Sequence, residues 1–293
     1  GLLGADFAIE GGRYRISKIY DAESWNPELR APLATPGVAV SVGDYLLAIN
    51  GTELRAGDNI NRLLDGTANR QTVLTVHSRP EMQGARQITV VPVANEQGLR
   101  TRAWVERNRR IVDSVSGGAL AYVYLPNTGQ PGYTSFNRYY FAQQDRAGVV
   151  VDERYNGGGS AADYIVDLLG RDYDGYFNNP VGDRFPYTSP ANGIWGPKVM
   201  IINEMAGSGG DLMPFMFKRR KLGPLVGMRT WGGLVATTDT PPFVDGGSMI
   251  APRFGFFSRE GQFAVENEGV APDIEVENWP KDVIAGRDPQ LER

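Results

Sequence analysis

The sequence predicts an α/β protein of two domains, a small one dominated by β structure followed by a larger one in which strands and helices alternate. Three observations carry that expectation. From Tyr14 to about Ala94 short apolar runs are broken by Gly, Pro and Asn, the punctuation of small sheets. From Leu120 onward strand-like and helix-like patterns alternate, the mark of an α/β sheet. Two strand-like runs in this second part each end in a glycine-rich turn that leads into a helix-like segment. A length of 293 residues is enough for two separate cores. The change of pattern divides the chain into residues 1–96 and 97–293.

Within the first domain, strands are expected over residues 14–19, 45–49, 73–77 and 87–92, with a short helix over 59–64. Asn50-Gly51 falls between the apolar run ending at Ile49 and the segment Thr52-Glu53-Leu54. It is a strong tight-turn signal, because both residue types tolerate positive φ. Residues 97–110 are polar and rich in arginine and read as the connection between domains. Beyond them, 120–125 and 147–153 read as strands and 132–145 as an aromatic-rich helix.

Composition narrows the function. A net charge of −4 with no basic stripe gives no electrostatic footprint for nucleic acid. The basic run from Lys218 to Lys221 follows an apolar helix-like stretch, where cations favour the C-terminal end, so it reads as a solvated helix terminus. The absence of cysteine excludes disulfides, thiolate zinc sites and a cysteine nucleophile, and favours a reducing cytoplasm. No apolar run approaches the roughly 18 residues needed to cross a bilayer, and the first residues lack the pattern of a signal peptide. A soluble protein is expected. The chain opens on Gly1-Leu2-Leu3-Gly4 with no initiator methionine, so it is expected to be part of a longer protein.

The two glycine turns carry the chemistry. In the first, Gly148-Val149-Val150-Val151-Asp152 leads through Asn156-Gly157-Gly158-Gly159 to Tyr164-Ile165-Val166. In the second, Val199-Met200-Ile201-Ile202-Asn203 leads through Ala206-Gly207-Ser208-Gly209-Gly210 to Leu212-Met213. Parallel strands would place both turns on one edge of the sheet. Glycine permits close backbone approach, and the first amides of a helix are unpaired donors that stabilise negative charge. Such turns suit phosphate binding or an oxyanion hole. Neither has the Lys-Ser/Thr ending of a P-loop or a clean dinucleotide fingerprint, which weakens the first choice. Ser208, placed between glycines at a strand-to-helix turn that approximates a nucleophile elbow, strengthens the second.

Four runs, two of them spanning these turns, resemble the catalytic domain of the tricorn protease family and, more distantly, the C-terminal processing peptidases. They are Val151-Asp152-Glu153-Arg154-Tyr155-Asn156-Gly157-Gly158-Gly159, Asn203-Glu204-Met205-Ala206-Gly207-Ser208, Arg229-Thr230-Trp231-Gly232-Gly233, and Val265-Glu266-Asn267-Glu268-Gly269-Val270-Ala271-Pro272-Asp273. Upstream, Gly43-Asp44-Tyr45-Leu46-Leu47-Ala48-Ile49-Asn50-Gly51 is similar to the signature of PDZ domains. The resemblance covers essentially the whole chain. It implies a PDZ-like β domain (1–96) followed by a crotonase-like α/β serine-peptidase domain (97–293), with no metal or organic cofactor.

The resemblance also implies roles. Ser208 is the nucleophile, the amides of Gly159 and Gly209 form the oxyanion hole, and Glu266 completes a Ser-His-Ser-Glu tetrad. Where the family's namesake has Asp after the serine, this chain has Gly209, which keeps the main-chain donor. The family's histidine and second serine lie just upstream of the PDZ domain, outside this chain. The single histidine, His77, falls in a strand-like run of the first domain and is expected to pack rather than to act as the base. In place of an acidic substrate pocket this chain has Tyr176-Phe177-Asn178-Asn179-Pro180, so Phe177 and Asn178 are the expected pocket residues, with Asp174 or Asp183 as nearby acids. The expected function is a serine endopeptidase acting on peptides, with upstream domains of the same protein supplying the Ser-His pair, and with homo-oligomers as a further expectation. Two rivals stand beside it: a peptide-binding scaffold that has lost catalysis, and an acyl-CoA enzyme, against which the PDZ signature argues.

Overall fold

The computed structural model describes residues 1–23, 26, 29–182, 187–237 and 241–293. The chain forms two compact units, Gly1–Arg107 and Asn108–Arg293.

The first unit is an antiparallel sheet of β1 (Ala5–Glu10), β2 (Arg13–Ile19), β3 (Tyr45–Ile49), β4 (Thr52–Glu53), β5 (Thr72–His77) and β6 (Arg86–Val90). The order is β1-β2-β3-β5-β6, with β4 paired to β3. Central β3 is buried along its whole length, and Leu46 and Ile49 meet Ile16, Leu74, Val76 and Ile88 in the core. Asn50 and Gly51 take positive φ of 47° and 81° and close the β3–β4 hairpin, with Ile49 opposite Thr52. The helix α1 (Ile60–Leu63) starts at Asn59, whose side chain accepts from the Asn61 amide. This is a cap that leaves one fewer unpaired donor.

The Arg-rich stretch read as a domain connection is helical. Helix α2 (Gln97–Val115) runs through it, and the boundary between the compact units falls inside this helix. Its buried positions are Leu99, Val105, Asn108 and Val112; the last three have helical spacing, but one of them is polar, so the apolar period is broken. Asn108 is buried because its amide donates to the Tyr122 hydroxyl at 3.2 Å.

The second unit contains β7 (Leu120–Tyr124), α3 (Gln130–Phe141), β8 (Gly148–Asp152), α4 (Ala162–Leu169), a hairpin of β9 (Gly175–Phe177) and β10 (Tyr187–Ser189), then β11 (Lys198–Ile202), α5 (Gly209–Arg219), β12 (Leu225–Gly227), β13 (Ile274–Glu275), α6 (Pro280–Ile284) and α7 (Pro289–Glu292). Five strands form an all-parallel sheet in the order β13-β12-β11-β8-β7. Parallel neighbours need long crossovers, and α3, α4 and α5 lie in them. Val149, Val151, Met200 and Ile202 pack with Phe136, Tyr140, Ile165 and Phe217 in one core. Near-continuous apolar runs such as Val149-Val150-Val151 are what a sheet buried on both faces requires. Among the described residues no helix is long and apolar enough to cross a membrane.

Candidate active site

Strands β8 and β11 are parallel neighbours, with Val151 opposite Met200, so both glycine turns leave the same C-terminal edge of the sheet. Open parallel sheets bind ligands at that edge. The turns are fastened to each other. The Gly207 amide donates to the Asn156 carbonyl at 3.0 Å, and the Asn156 Oδ1 accepts from the Gly158 amide at 2.9 Å. At Gly158 φ is +83°, and an added Cβ would stand 2.6 Å from the Cβ of Ser208. Only glycine lets the first turn come this close to the serine.

Ser208 is half-buried and caps the N-terminus of α5 with φ 57° and ψ −116°. A non-glycine residue held there costs on the order of 1–3 kcal/mol, so its surroundings must impose it. Asp211, fully buried in the first turn of α5, does so. Its Oδ2 accepts from the amides of Ser208 at 2.8 Å and Gly233 at 3.0 Å. Its Oδ1 accepts from the Thr230 hydroxyl at 2.5 Å and the Gly232 amide at 2.8 Å. One carboxylate thus locks the serine turn to the segment 230–233.

That segment leads to Glu266. The Glu266 Oε2 accepts from the amides of Leu234 and Val235, both at 2.6 Å, and the Asn267 amide donates to the Gly232 carbonyl at 2.7 Å. Val265 and Asn267, on either side of Glu266, have φ of 74° and 62°. For a buried β-branched valine this is a strained conformation, of the kind that concentrates at functional loops.

The amides of Gly159 and Gly209 donate to no acceptor among the described residues. Their residues touch: a Cβ on Gly209 would lie 2.9 Å from the Gly159 nitrogen and 2.4 Å from its carbonyl oxygen. Two free amides, that of Gly209 at the start of α5 and that of Gly159 in the facing turn, form beside the Ser208 hydroxyl a place where a developing oxyanion can be held. Beneath the turns lie three fully buried carboxyl groups, Asp152, Glu153 and Asp211. Asp152 is paired with Arg154 at 2.6 Å, and the same guanidinium reaches Asp288 at 2.7 Å. Burial, reinforced by the charges of Asp211 and Asp152, holds the Glu153 carboxyl well above the usual carboxylate range.

Ser208, Gly159 and Gly209 therefore come together, and Glu266 is tied to them through Asp211 and the 230–235 segment. Phe177 and Asn178 sit at the β9–β10 hairpin, where Phe177 is 58% exposed and stacks on Tyr187 at 5.0 Å. No hydrogen bond or ring contact links that hairpin to the Ser208 turns among the described residues. Asp174 donates its amide to the Ser189 carbonyl, and Asp183 lies outside the described residues. His77 is buried in the first unit at the end of β5, its Nδ1 accepting from the Arg79 amide at 2.7 Å. Sequence reasoning missed Asp211, although Ser208-Gly209-Gly210-Asp211 has the Ser-x-x-acid spacing of a capping box.

Residues 119–276 match peptidase family S41, and the chain belongs to that family. Residues 1–95 match the tricorn protease PDZ domain, so a PDZ domain precedes the α/β peptidase domain. The chain is 40% identical over 294 residues to tricorn protease homolog 1 of Streptomyces coelicolor, and 35% identical over 292 residues to the tricorn protease of Thermoplasma acidophilum. Each comparison covers 100% of this chain and 27% of the relative, so the chain spans about a quarter of the length of the proteins it matches. It superposes on the crystal structure of the tricorn protease with a TM-score of 0.89 at 34% identity, covering 100% of this chain and 28% of the other.

Proposed function

We propose that this chain is the PDZ and catalytic part of a serine endopeptidase of the tricorn type. The observation that carries the reading is the meeting of Ser208, held at strained φ on the N-terminus of α5, with the acceptor-free amides of Gly159 and Gly209. In this reading Ser208 Oγ attacks the scissile carbonyl of a peptide. The two amides hold the oxyanion, the amine leaves, and water releases the acyl-enzyme. A histidine from sequence upstream of this chain takes the serine proton, and Glu266 orients that base through a second upstream serine. The PDZ domain supports a peptide substrate, since such domains bind extended peptides. We place the enzyme in the cytoplasm, as a homo-oligomer.

Removing a positioned base costs roughly 10²–10⁴ in rate, so the 293-residue chain alone is nearly inactive in this account. The test compares peptide hydrolysis by the longer protein, by its Ser208→Ala variant and by the isolated chain. Activity in the first alone supports the reading. Full activity in the isolated chain overturns the assignment of the base. A longer protein that binds peptides without hydrolysing them is the scaffold instead.

A further inference from the structure

Glu153 has no part in the chemistry just described, yet it occupies the position beneath both glycine turns. It follows the last residue of β8, its amide donates to the Ile201 carbonyl of β11 at 3.0 Å, and its side chain is completely buried. The three buried carboxyl groups at this edge are not equally provided for. Asp211 receives four donors, and Asp152 receives the Arg154 guanidinium and the Tyr122 hydroxyl. Among the described residues the Glu153 Oε2 receives only the side-chain amide of Asn156, at 3.3 Å, and its Oε1 has no hydrogen-bond partner. A buried carboxylate with an empty oxygen, next to two other acids, is the least tolerable place for a negative charge.

The one hydrogen bond of its side chain among the described residues is directed at the site. Asn156 is fully buried and joins the two turns: its Oδ1 fixes the Gly158 amide, and its main-chain carbonyl fixes Gly207, the residue before Ser208. Because Oδ1 must face Gly158, Nδ2 must face Glu153, which therefore has to present a lone pair. A neutral carboxylic acid does this through its carbonyl oxygen without placing a third charge beside Asp211, the group that locks Ser208.

We propose that Glu153 is a neutral, protonated positioning residue that orients Asn156 and through it sets the spacing of the Gly159 and Ser208 turns. Glutamine satisfies the same requirement, since its side-chain carbonyl accepts from Asn156 and it carries no charge. Alanine removes the acceptor. The catalytic part of this inference rests on the proposed peptidase reading, whereas the protonation and the turn geometry do not.

Three measurements on Glu153→Gln and Glu153→Ala test it. In the 293-residue chain at neutral pH, the infrared difference between wild type and Glu153→Gln should contain a carboxylic-acid carbonyl band on the wild-type side. The native state then holds a proton that the unfolded chain releases above a pKa of about 4.3, so stability falls as pH rises. The unfolding constant of wild type relative to Glu153→Gln should accordingly rise about tenfold per pH unit between that value and the raised pKa of the folded state, and level off above it. Amide exchange at Gly158 should quicken in Glu153→Ala and return to the wild-type rate in Glu153→Gln. In the longer protein, Glu153→Ala should lower kcat by about ten- to a hundredfold at similar KM, with Glu153→Gln restoring it. The inference is overturned if the acid band is absent, or if Glu153→Ala leaves Gly158 exchange and kcat unchanged. It is also overturned if glutamine behaves like alanine. Should the longer protein prove inactive, the infrared and exchange results still decide the role of Glu153.

Discussion

Replacing Gly209 with alanine separates the proposed oxyanion donors by a known displacement. Gly209 lies at the start of α5 with no requirement for positive φ, so the substitution acts through space alone. The new Cβ would stand 2.0 Å from Thr128 Oγ1 and 2.4 Å from the Gly159 carbonyl oxygen. Restoring ordinary van der Waals separation requires a shift of roughly 1 Å at the Gly159 oxygen and somewhat more at Thr128. Thr128 cannot simply retreat, because it is fully buried and both its amide and its carbonyl are hydrogen-bonded, to Gly158 and Ala161. The Gly159 turn must therefore move away from Ser208. Overpacking of this kind costs about 1–3 kcal/mol of stability. A misplacement of about 1 Å at a reacting centre costs about 10²-fold in rate, and complete loss of one oxyanion donor about 10²–10³-fold. The assay is kcat/KM on a peptide for the longer protein, with urea unfolding of the same variant. Gly157→Ala is the matched control, since a Cβ at that neighbouring position meets nothing within 4 Å. A Gly209→Ala variant within about threefold of wild type, or a Gly157→Ala variant equally impaired, would refute the reasoning.

Glu266→Gln retains an acceptor for the Leu234 and Val235 amides but removes the charge, so folding should persist while kcat falls about 10²-fold; unchanged kcat contradicts the tetrad role. Arg154→Met should cost about 3–5 kcal/mol in urea unfolding, because it leaves Asp152 buried without its partner. Burial pushes the Asp288 carboxyl up, but the Arg154 guanidinium overcomes this and holds it below the usual range. Its stabilisation is present above the unfolded-state pKa of about 3.9 and is lost as pH falls through the folded value, so Asp288→Asn should flatten the loss of stability below about pH 4. In the proposed reading, in which the β9–β10 hairpin lines the substrate pocket, the neutral Phe177 and Asn178 should favour apolar over basic residues at the cleaved position. Peptides varied only there, compared by kcat/KM, should show that order; a strong preference for Lys or Arg would contradict it, and Asp174→Asn or Asp183→Asn would then locate the acid responsible.

The parallel core was legible because a strand buried on both faces must be apolar throughout, and Val149-Val150-Val151 and Val199-Met200-Ile201-Ile202 say so locally. The hairpin at Asn50-Gly51 was legible for an equally local reason, the positive φ that few residues accept. Strand β1 was not read, since of its residues only Ala5 is buried and Ile9 is 53% exposed. Helix α2 was hidden by the polar Asn108 on its buried face. At the site, the glycine-rich strand-to-helix turns drew attention to Ser208 and the glycines, and the roles expected of them came from the family resemblance. Asp211 and Glu153 did not, because an acid in a sequence looks the same whether solvated or buried. Their meaning arises only when β8 and β11 pair in register and bring both turns to one edge.

The central claim is that Ser208 forms an acyl-enzyme whose oxyanion is held between Gly159 and Gly209. A crystal structure of the longer protein treated with a peptide-based, serine-directed inhibitor tests it most directly. The account predicts a covalent bond at Ser208 Oγ, with the oxygen derived from the inhibitor carbonyl about 2.7–3.1 Å from both amides. An adduct on another residue, or one at Ser208 whose oxygen points away from Gly159 and Gly209, would contradict it.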